Sequence, residues 1–239
     1  DGYAISGANS YTTGTTLSDV FIVFAKHADG AAAGRVSAFL VPRDRPGITI
    51  GPLEKKMGIR GMPTGGLFFD KVTVPRDARL GAEGQGLSVL LSSMTGNRPA
   101  IGARGVGLAQ GAFEIAVDHC LNRKMLGGTL MDLQGLQFKL ADLAIAIEAS
   151  RQLVHAGARL VDQGVATKDL MGMLAMGKCL ATDTAMQVLG GRSYLQSSPV
   201  ERLLRDARLN VLEEGTPSIQ RLVTARALLA GNLPWTFPW

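Results

Sequence analysis

The amino-acid sequence predicts an α+β fold in which an antiparallel β domain is followed by an antiparallel helical bundle. Residues 1–80 consist of short runs rich in β-branched and aromatic residues, separated by Gly, Pro and Asp, which is typical of strands joined by turns. From Gly86 onward the apolar residues recur at helical spacing instead. We therefore predict a β domain over 1–85, a helical bundle over 86–230 and a non-helical tail over 231–239, which either docks on a partner surface or packs as a terminus.

The β domain contains four clear strand patterns. They cover residues 19–25, 36–42, 48–50 and 67–75. The strand character starts at the first residue without a lead-in, so we expect an edge strand and anything before it to be absent from this chain. The chain is then interpreted as a fragment or as one half of a split protein.

Glycine breaks divide the second part of the chain into helices. The expected helices cover about 86–122, 130–163, 167–190, 198–212 and 217–229. In the second of them, apolar residues at three- and four-residue spacing form one face that requires partner helices. These residues are Leu133, Leu136, Leu140, Leu143 and Ile147. The connections are short, which favours antiparallel neighbours.

The composition excludes several classes of protein. The net charge is +5, but the basic residues form no block and no aromatic strip alternates with them. We therefore expect no nucleic-acid binding, while an anionic ligand is compatible with the charge. No run approaches the roughly 20 apolar residues of a membrane helix, and the first residues lack the features of a signal peptide. The two cysteines and three histidines are scattered, which predicts no disulfide framework and no metal site. A cytoplasmic protein without membrane contact fits best.

A series of motifs along almost the whole chain resembles the acyl-CoA dehydrogenases. The motifs lie at residues 54–61, 69–75, 97–99, 123–127, 134–142, 187–191, 199–207 and 214–216. The resemblance implies a middle β-barrel domain and a C-terminal helical bundle, with FAD bound between them and across a subunit interface. It also implies that the N-terminal helical domain of the family is absent from this chain.

Several residues correspond to flavin-contacting positions of that family. Tyr11 and Thr13 match an aromatic residue and a hydroxyl residue beside the isoalloxazine ring, although an ordinary strand end can carry the same pair. Arg123 resembles the arginine that reaches the FAD pyrophosphate of the neighbouring subunit, where a guanidinium binds bidentately. Leu130 matches a cofactor-lining position more weakly.

Further cofactor positions follow from the same resemblance. Gln187, Gly190 and Gly191 resemble an amide and a glycine turn that approach FAD, because backbone N–H groups come close to phosphate where no Cβ obstructs them. As plain sequence, the two glycines are equally a helix C-cap. Gln134 and Leu126 match other cofactor-lining positions, and the usual Phe of the family is replaced at Leu126, so an aromatic contact is lost.

Two residues correspond to substrate contacts. Arg98 matches an arginine beside the CoA portion of the substrate, but the Asp that often stands three residues earlier is Thr95 here. CoA is therefore held differently or the acyl group arrives on a carrier protein, with a surface arginine without a ligand as the alternative. Glu213 stands where the family often has a Tyr lining the acyl pocket. Because burying an extra carboxylate is costly, we expect a pocket unsuited to a long saturated chain, or a Glu213 side chain turned to solvent.

Glu214 is the predicted catalytic base. It matches the Glu-Gly-Thr motif of the family, and the glycine after it allows the backbone to turn so that the carboxylate projects into a cleft. Thr216, a cofactor position by resemblance, and Pro217 have the sequence of a helix start. Glu213 is the rival base, and a purely electrostatic role at the helix N-terminus is the alternative for Glu214.

The resemblance implies an FAD-dependent enzyme that removes hydrogen from the α and β carbons of an acyl-CoA or acyl-carrier thioester. An electron-transfer partner or oxygen would accept the electrons, and the assembly would be a homo- or hetero-tetramer, a dimer of dimers. The alternative is a non-catalytic or cofactor-sharing subunit of a heteromeric complex. Glu214 favours the enzyme, whereas Thr95, Leu126 and Ser218, which replaces a Gln that often contacts the flavin, favour the alternative.

Overall fold

The computed structural model describes residues 2–165, 189–213 and 217–230. The chain divides into two compact units, Asp1–Ser93 and Met94–Trp239. The assignment of domains to 1–85, 86–230 and 231–239 stays a prediction, and the tail lies outside the described residues.

The first unit is built from antiparallel strands. Its strands are β1 (Gly2–Thr13), β2 (Val20–Lys26), β3 (Val36–Pro42), β4 (Ile48–Leu53), β5 (Thr64–Pro75) and β6 (Arg79–Leu80). They form two three-stranded sheets in the orders β1-β5-β4 and β2-β3-β6, and all their pairings are antiparallel. The four predicted strands are therefore confirmed.

One hydrophobic core lies in this unit. Alternate residues of strands in both sheets point into it because successive side chains of a strand face opposite sides. The buried members are Ile5, Phe21, Phe39, Val41, Leu67, Phe69, Val72 and Val74. This shared core joins the two sheets into the β domain that the sequence predicts.

A buried polar cluster fixes the end of the β domain. Ser37 on β3 is fully buried, and its Oγ lies 2.7 Å from Nε2 of His27. The backbone N–H of Gly84 donates to the same Oγ over 2.8 Å, and Nδ1 of His27 lies 3.8 Å from Oε1 of Glu83. A Cβ on Gly86 would lie 2.7 Å from the Ser37 carbonyl carbon. Residues 83–86 are therefore held closely against β3.

The second part of the chain is helical as predicted. Its described elements are α1 (Gly86–Asn122), a hairpin of β7 (Lys124–Met125) and β8 (Gly128–Thr129), α2 (Gln134–Asp162), α3 (Pro199–Leu212) and α4 (Pro217–Leu229). Helix α2 begins four residues later than predicted, because Leu130–Asp132 forms a 3₁₀ turn. Nearly all of the predicted helix 167–190 lies outside the described residues.

Helix α2 packs antiparallel to α1. Ala116 and Cys120 near the end of α1 pack with Leu140 near the start of α2, whereas a Cβ on Gly102 would lie 2.7 Å from Cγ2 of Val154. Leu140 and Ile147 of the predicted apolar face are buried. The small residues of α1 permit this close approach of the helices.

Candidate active site

Tyr11 occupies an irregular position in β1. The pairing with β5 shifts register between Asn9, opposite Leu67, and Thr12, opposite Gly65, so β1 carries one extra residue in a β-bulge. Tyr11 has a φ of 60° there, and its side chain is 74 % exposed. Positive φ is unfavourable for a bulky residue, and bulges commonly re-aim side chains beside functional sites. The bulge therefore presents the Tyr11 ring outward at the strand end.

The neighbouring cofactor candidate, Thr13, is the last residue of β1 and is also exposed. Its strand partner is Thr64. A hydroxyl and an aromatic ring are thus both accessible at this end of β1.

A tight hairpin in the second unit positions the cofactor candidate Leu126. Lys124 pairs with Thr129 and Met125 with Gly128. The two turn residues, Leu126 and Gly127, have φ of 52° and 83°, as a type I′ turn requires. Leu126 at the tip is 84 % exposed.

The residues on either side of this hairpin complete the segment. The carbonyl of Arg123 accepts from the Leu130 N–H over 3.0 Å, which closes the base of the hairpin. The side chain of Arg123 is exposed, Leu130 is half-buried, and Gln134 is exposed at the first position of α2. Arg123, Leu126, Leu130 and Gln134 therefore belong to one short segment that backbone hydrogen bonds close on itself.

Asp132 stabilises this stretch. Its Oδ2 accepts from the backbone N–H of Thr129 over 2.6 Å and from the Thr129 hydroxyl over 3.1 Å. These hydrogen bonds favour the charged carboxylate, and the backbone one contributes most, so the pKa of Asp132 lies below its usual value.

Gly190 and Gly191 lie in a 3₁₀ turn that spans Gly190–Tyr194. Gly190 has a φ of 57°, and no other atom of the part of the chain that the structure describes lies within 4 Å of the position that a Cβ would take on either glycine. The Ser193 hydroxyl donates to the Gly190 carbonyl over 2.7 Å. Among the described residues, the turn thus leaves the space beside Gly190 and Gly191 open.

Arg98 on α1 is 6 % exposed. The alternative of a surface arginine is therefore wrong for this chain. A charged side chain is rarely buried to this degree unless it is paired. Its role toward CoA stays a prediction.

Glu213 follows the last turn of α3 and contacts α1. Its carboxylate pairs with Nη2 of Arg104, and the Glu213 side chain is 22 % exposed. Nε and Nη2 of Arg104 also donate to Oδ1 of Asn210 over 3.2 and 3.1 Å, and Asn210 is buried. Glu213 is thus mostly covered and ion-paired rather than turned to solvent.

Sequence reasoning missed Arg104 and Asn210. One signal was present, because Leu203, Ala207 and Asn210 recur at helical spacing on α3 and the stripe therefore contains an amide at an otherwise apolar position. Ala207 is 1 % exposed and Asn210 is 6 % exposed. A polar residue on a buried stripe requires a hydrogen-bond partner, and here the partner is Arg104.

Three predicted site residues lie outside the described residues. They are Gln187, Glu214 and Thr216. Their roles stay predictions. Tyr11 and Thr13 belong to the first compact unit, and the remaining candidates belong to the second.

Two further properties concern the described residues only. They contain no helix with the length and apolarity that crossing a membrane requires. They also place no group of three or more His, Cys, Asp or Glu side chains where a metal ion could bind. Cys120 is a buried free thiol, and burial raises its pKa.

The described chain is thus a β domain followed by a helical domain, and it exposes an aromatic ring at Tyr11, a hydroxyl at Thr13 and a guanidinium at Arg123. Residues 1–72 match the acyl-CoA dehydrogenase middle domain, and residues 84–229 match the acyl-CoA dehydrogenase C-terminal domain. This chain therefore belongs to the acyl-CoA dehydrogenase family, which confirms the resemblance and the predicted fold class.

Relatives and solved structures agree with this assignment. The probable acyl-CoA dehydrogenase fadE25 of Mycobacterium leprae is 40 % identical over 236 residues, which cover 96 % of this chain and 60 % of the relative. Cyclohex-1-ene-1-carbonyl-CoA dehydrogenase of Geobacter metallireducens is 41 % identical, with coverages of 96 % and 62 %. The structure of butyryl-CoA dehydrogenase from Megasphaera elsdenii superposes with a TM-score of 0.84 at 32 % identity, with coverages of 95 % and 60 %. The chain thus spans about three fifths of the length of these relatives.

Proposed function

We propose that this chain forms the middle and C-terminal part of an FAD-dependent acyl-CoA dehydrogenase, which introduces a double bond between the α and β carbons of an acyl thioester. The observation that carries the proposal is the match of both consecutive domains, over residues 1–72 and 84–229. Two of the similar proteins are named for dehydrogenation of CoA thioesters, one with a cyclic and one with a short acyl group.

The groups that the chain presents fit FAD. An exposed aromatic ring at Tyr11 suits stacking on a flavin, and the Thr13 hydroxyl can hydrogen-bond its edge. The exposed Arg123 guanidinium suits a pyrophosphate, and the space beside Gly190 permits close approach of a ligand to the backbone. With Leu126, Leu130, Gln134, Gly191 and the predicted contacts Gln187 and Thr216, these residues would hold the cofactor.

The reaction divides between the cofactor and the chain. FAD supplies an acceptor for a hydride. The Glu214 carboxylate takes the α-proton of the thioester, the β-hydrogen leaves with its electron pair, and the α–β double bond forms. A carboxylate serves this purpose when desolvation raises its pKa toward the working pH, and Arg98 would bind the CoA portion.

Reconstitution with FAD tests the proposal. The purified chain is mixed with FAD, gel-filtered and examined for bound flavin absorbance, and butyryl-CoA or cyclohex-1-ene-carbonyl-CoA is then added without oxygen. Loss of the flavin absorbance with wild type, and its persistence with Glu214→Gln, is the expected result. The rate should fall about 10²–10⁴-fold in the variant, the usual scale for removal of a general base. Equal bleaching of both proteins would refute the assignment of Glu214.

A second candidate function is that of a subunit that completes a flavin site with another chain. The exposure of Tyr11 and Leu126, at 74 % and 84 %, supports it, because apolar and aromatic side chains gain most when another molecule covers them. Under this function the chain alone retains no flavin after gel filtration but gains it together with a partner chain. Flavin retained by the chain alone contradicts it.

Three further points concern the substrate carrier, the electron acceptor and the assembly. We propose CoA as the carrier in view of the named relatives, and bleaching by an acyl-carrier-protein thioester but not by the CoA thioester would reverse that choice. We further propose an electron-transfer flavoprotein as acceptor and a tetramer as the assembly. Reoxidation with purified electron-transfer flavoprotein against oxygen, and light scattering of the flavin-loaded protein, test these two points.

A further inference from the structure

Arg104 connects helix α1 to the end of helix α3. Its guanidinium donates through Nε and Nη2 to Oδ1 of Asn210, over 3.2 and 3.1 Å, and pairs through Nη2 with the carboxylate of Glu213. One side chain on α1 thus contacts both an amide in the last turn of α3 and the residue that caps this helix. We name Arg104, Asn210 and Glu213 the Arg104 clamp.

The two α3 residues of the clamp each carry a side chain whose position would destabilise the fold without a favourable contact. Glu213 is the C-cap of α3, and its backbone N–H donates to the Leu209 carbonyl. A carboxylate at a helix C-terminus faces the negative end of the helix dipole. Asn210 is a polar side chain that is 6 % exposed, and such a group is costly to bury without a hydrogen bond. A single guanidinium offsets both costs, because it supplies positive charge and several donors.

The backbone around the clamp is closely fitted. A Cβ on Gly105 would lie 2.6 Å from Nδ2 of Asn210, so a glycine next to Arg104 permits α1 to approach α3 at this level. Nearly two turns away on each helix, a Cβ on Gly111 would be in ordinary contact with Leu203, 3.7 Å from its Cδ1. The end of α3 is therefore fixed by packing as well as by the clamp.

We propose that Arg104 is a positioning residue for the catalytic base, an inference that rests on the proposed function of Glu214. Glu214 follows Glu213 by one peptide bond. By holding Glu213 against α1, the clamp therefore restrains the residue to which the base is attached. Arg104 also offsets part of the negative charge of Glu213, which stands one residue from the base. An unbalanced like charge makes ionisation of a neighbouring carboxyl harder.

Four variants separate the positional effect from a general loss of stability. Arg104→Gln removes the charge and most of the fork, Glu213→Gln removes the paired charge, the double variant removes both, and Arg104→Lys keeps the charge without the fork geometry. Arg208→Gln is the matched control, since it makes the same change on α3 at an exposed side chain. All are measured in the flavin-loaded, assembled protein with butyryl-CoA.

The expected results differ among these variants. Arg104→Gln should lower kcat by about 10–100-fold, the scale of a misplaced catalytic group, with a smaller change in KM. It should also move the acidic limb of the pH profile of kcat/KM to higher pH, because Arg104 then no longer offsets the Glu213 charge. In the double variant the acidic limb should return toward the wild-type position. Arg104→Lys should keep the limb in place, and the Arg208→Gln control should match wild type.

The clamp variants leave the neighbouring charged residues of α1 and α3 unchanged. On α1 the buried Arg98 is nearby in sequence, and on α3 Asp206, Arg208 and Arg205 precede the clamp, Arg205 being paired with Glu201. Because these groups do not change among the clamp variants, a limb that shifts in Arg104→Gln and returns in the double variant reports the Glu213 charge.

Several results would overturn the inference. Wild-type kcat and pH profile in Arg104→Gln would exclude a positioning role, and so would an acidic limb that stays shifted in the double variant. If Arg104→Gln does not fold, Glu213→Gln and Arg104→Lys decide the matter, because wild-type kcat in both excludes the role. Full activity in Glu214→Gln would instead refute the proposed base, whereas an inactive Glu214→Gln with a wild-type Arg104→Gln refutes only the clamp.

Discussion

Replacement of Ser37 by alanine should destabilise the β domain strongly although it removes one oxygen atom. The Ser37 Oγ is fully buried, accepts from the Gly84 N–H over 2.8 Å and lies 2.7 Å from Nε2 of His27. Ser37→Ala leaves two polar groups without this partner. Each unsatisfied buried group costs about 1–3 kcal/mol, and we expect the lower part of the sum, about 2–4 kcal/mol, since Glu83 beside His27 is 46 % exposed and water can reach that side.

Thermal unfolding of the full chain without FAD measures this effect. For a protein of this size, 1 kcal/mol shifts the midpoint by about 2–4 °C, so a decrease of about 4–16 °C is expected. Ser93→Ala is the matched control, because its Oγ donates to the Leu90 carbonyl at an exposed position of α1, and its midpoint should change by about 2 °C or less. A Ser37→Ala midpoint equal to that of Ser93→Ala would show that the buried cluster does not hold residues 83–86 in place.

Three further predictions concern the helical part, each measured by thermal unfolding. Gly102→Ala places a Cβ 2.7 Å from a methyl of Val154 and should destabilise by about 1–3 kcal/mol, whereas the exposed Gly107→Ala, with open space, should stabilise by about 0.5–1 kcal/mol; equal effects would contradict the packing. Leu126→Asn, at a φ of 52°, should raise the midpoint without FAD but weaken flavin binding in a titration, and unchanged flavin affinity would remove it from the site. Asp132→Ala should lower the midpoint at pH 7. Because hydrogen bonds from Thr129 hold the folded pKa of Asp132 below its usual value, its contribution exists above the unfolded pKa and disappears as pH falls through the folded value. Both proteins should therefore converge at acidic pH, and a difference that persists there would contradict the prediction.

The elements of the fold could be predicted wherever the pattern of apolar residues is local. The face of α2 that carries Leu140 and Ile147 is buried as expected, because helical spacing in sequence is also proximity in space. The sequence pattern did not give the bounds of strand β1, Gly2–Thr13. Its glycines, serines and asparagine have low strand propensity. Its conformation comes from pairing with β5.

The parts of the site that depend on tertiary contacts could not be predicted. Tyr11 was identified by resemblance, but its bulge exists only relative to the register of β5. Arg104 and Asn210 are 106 positions apart in sequence, and no local pattern relates them. The burial of Arg98 was missed for the same reason, since a lone arginine in a helix has no sequence signal for the helices around it.

The residue at the hairpin tip, Leu126, does not suit the conformation of the turn that it occupies. A type I′ turn favours Asn or Gly at this position, yet the chain holds a leucine there with a φ of 52° and leaves it 84 % exposed. Neither turn stability nor solubility selects such a residue. Natural variation at position 126 should therefore follow the identity of the molecule that covers the tip, and in a chain without such a contact Asn or Gly should be favoured there.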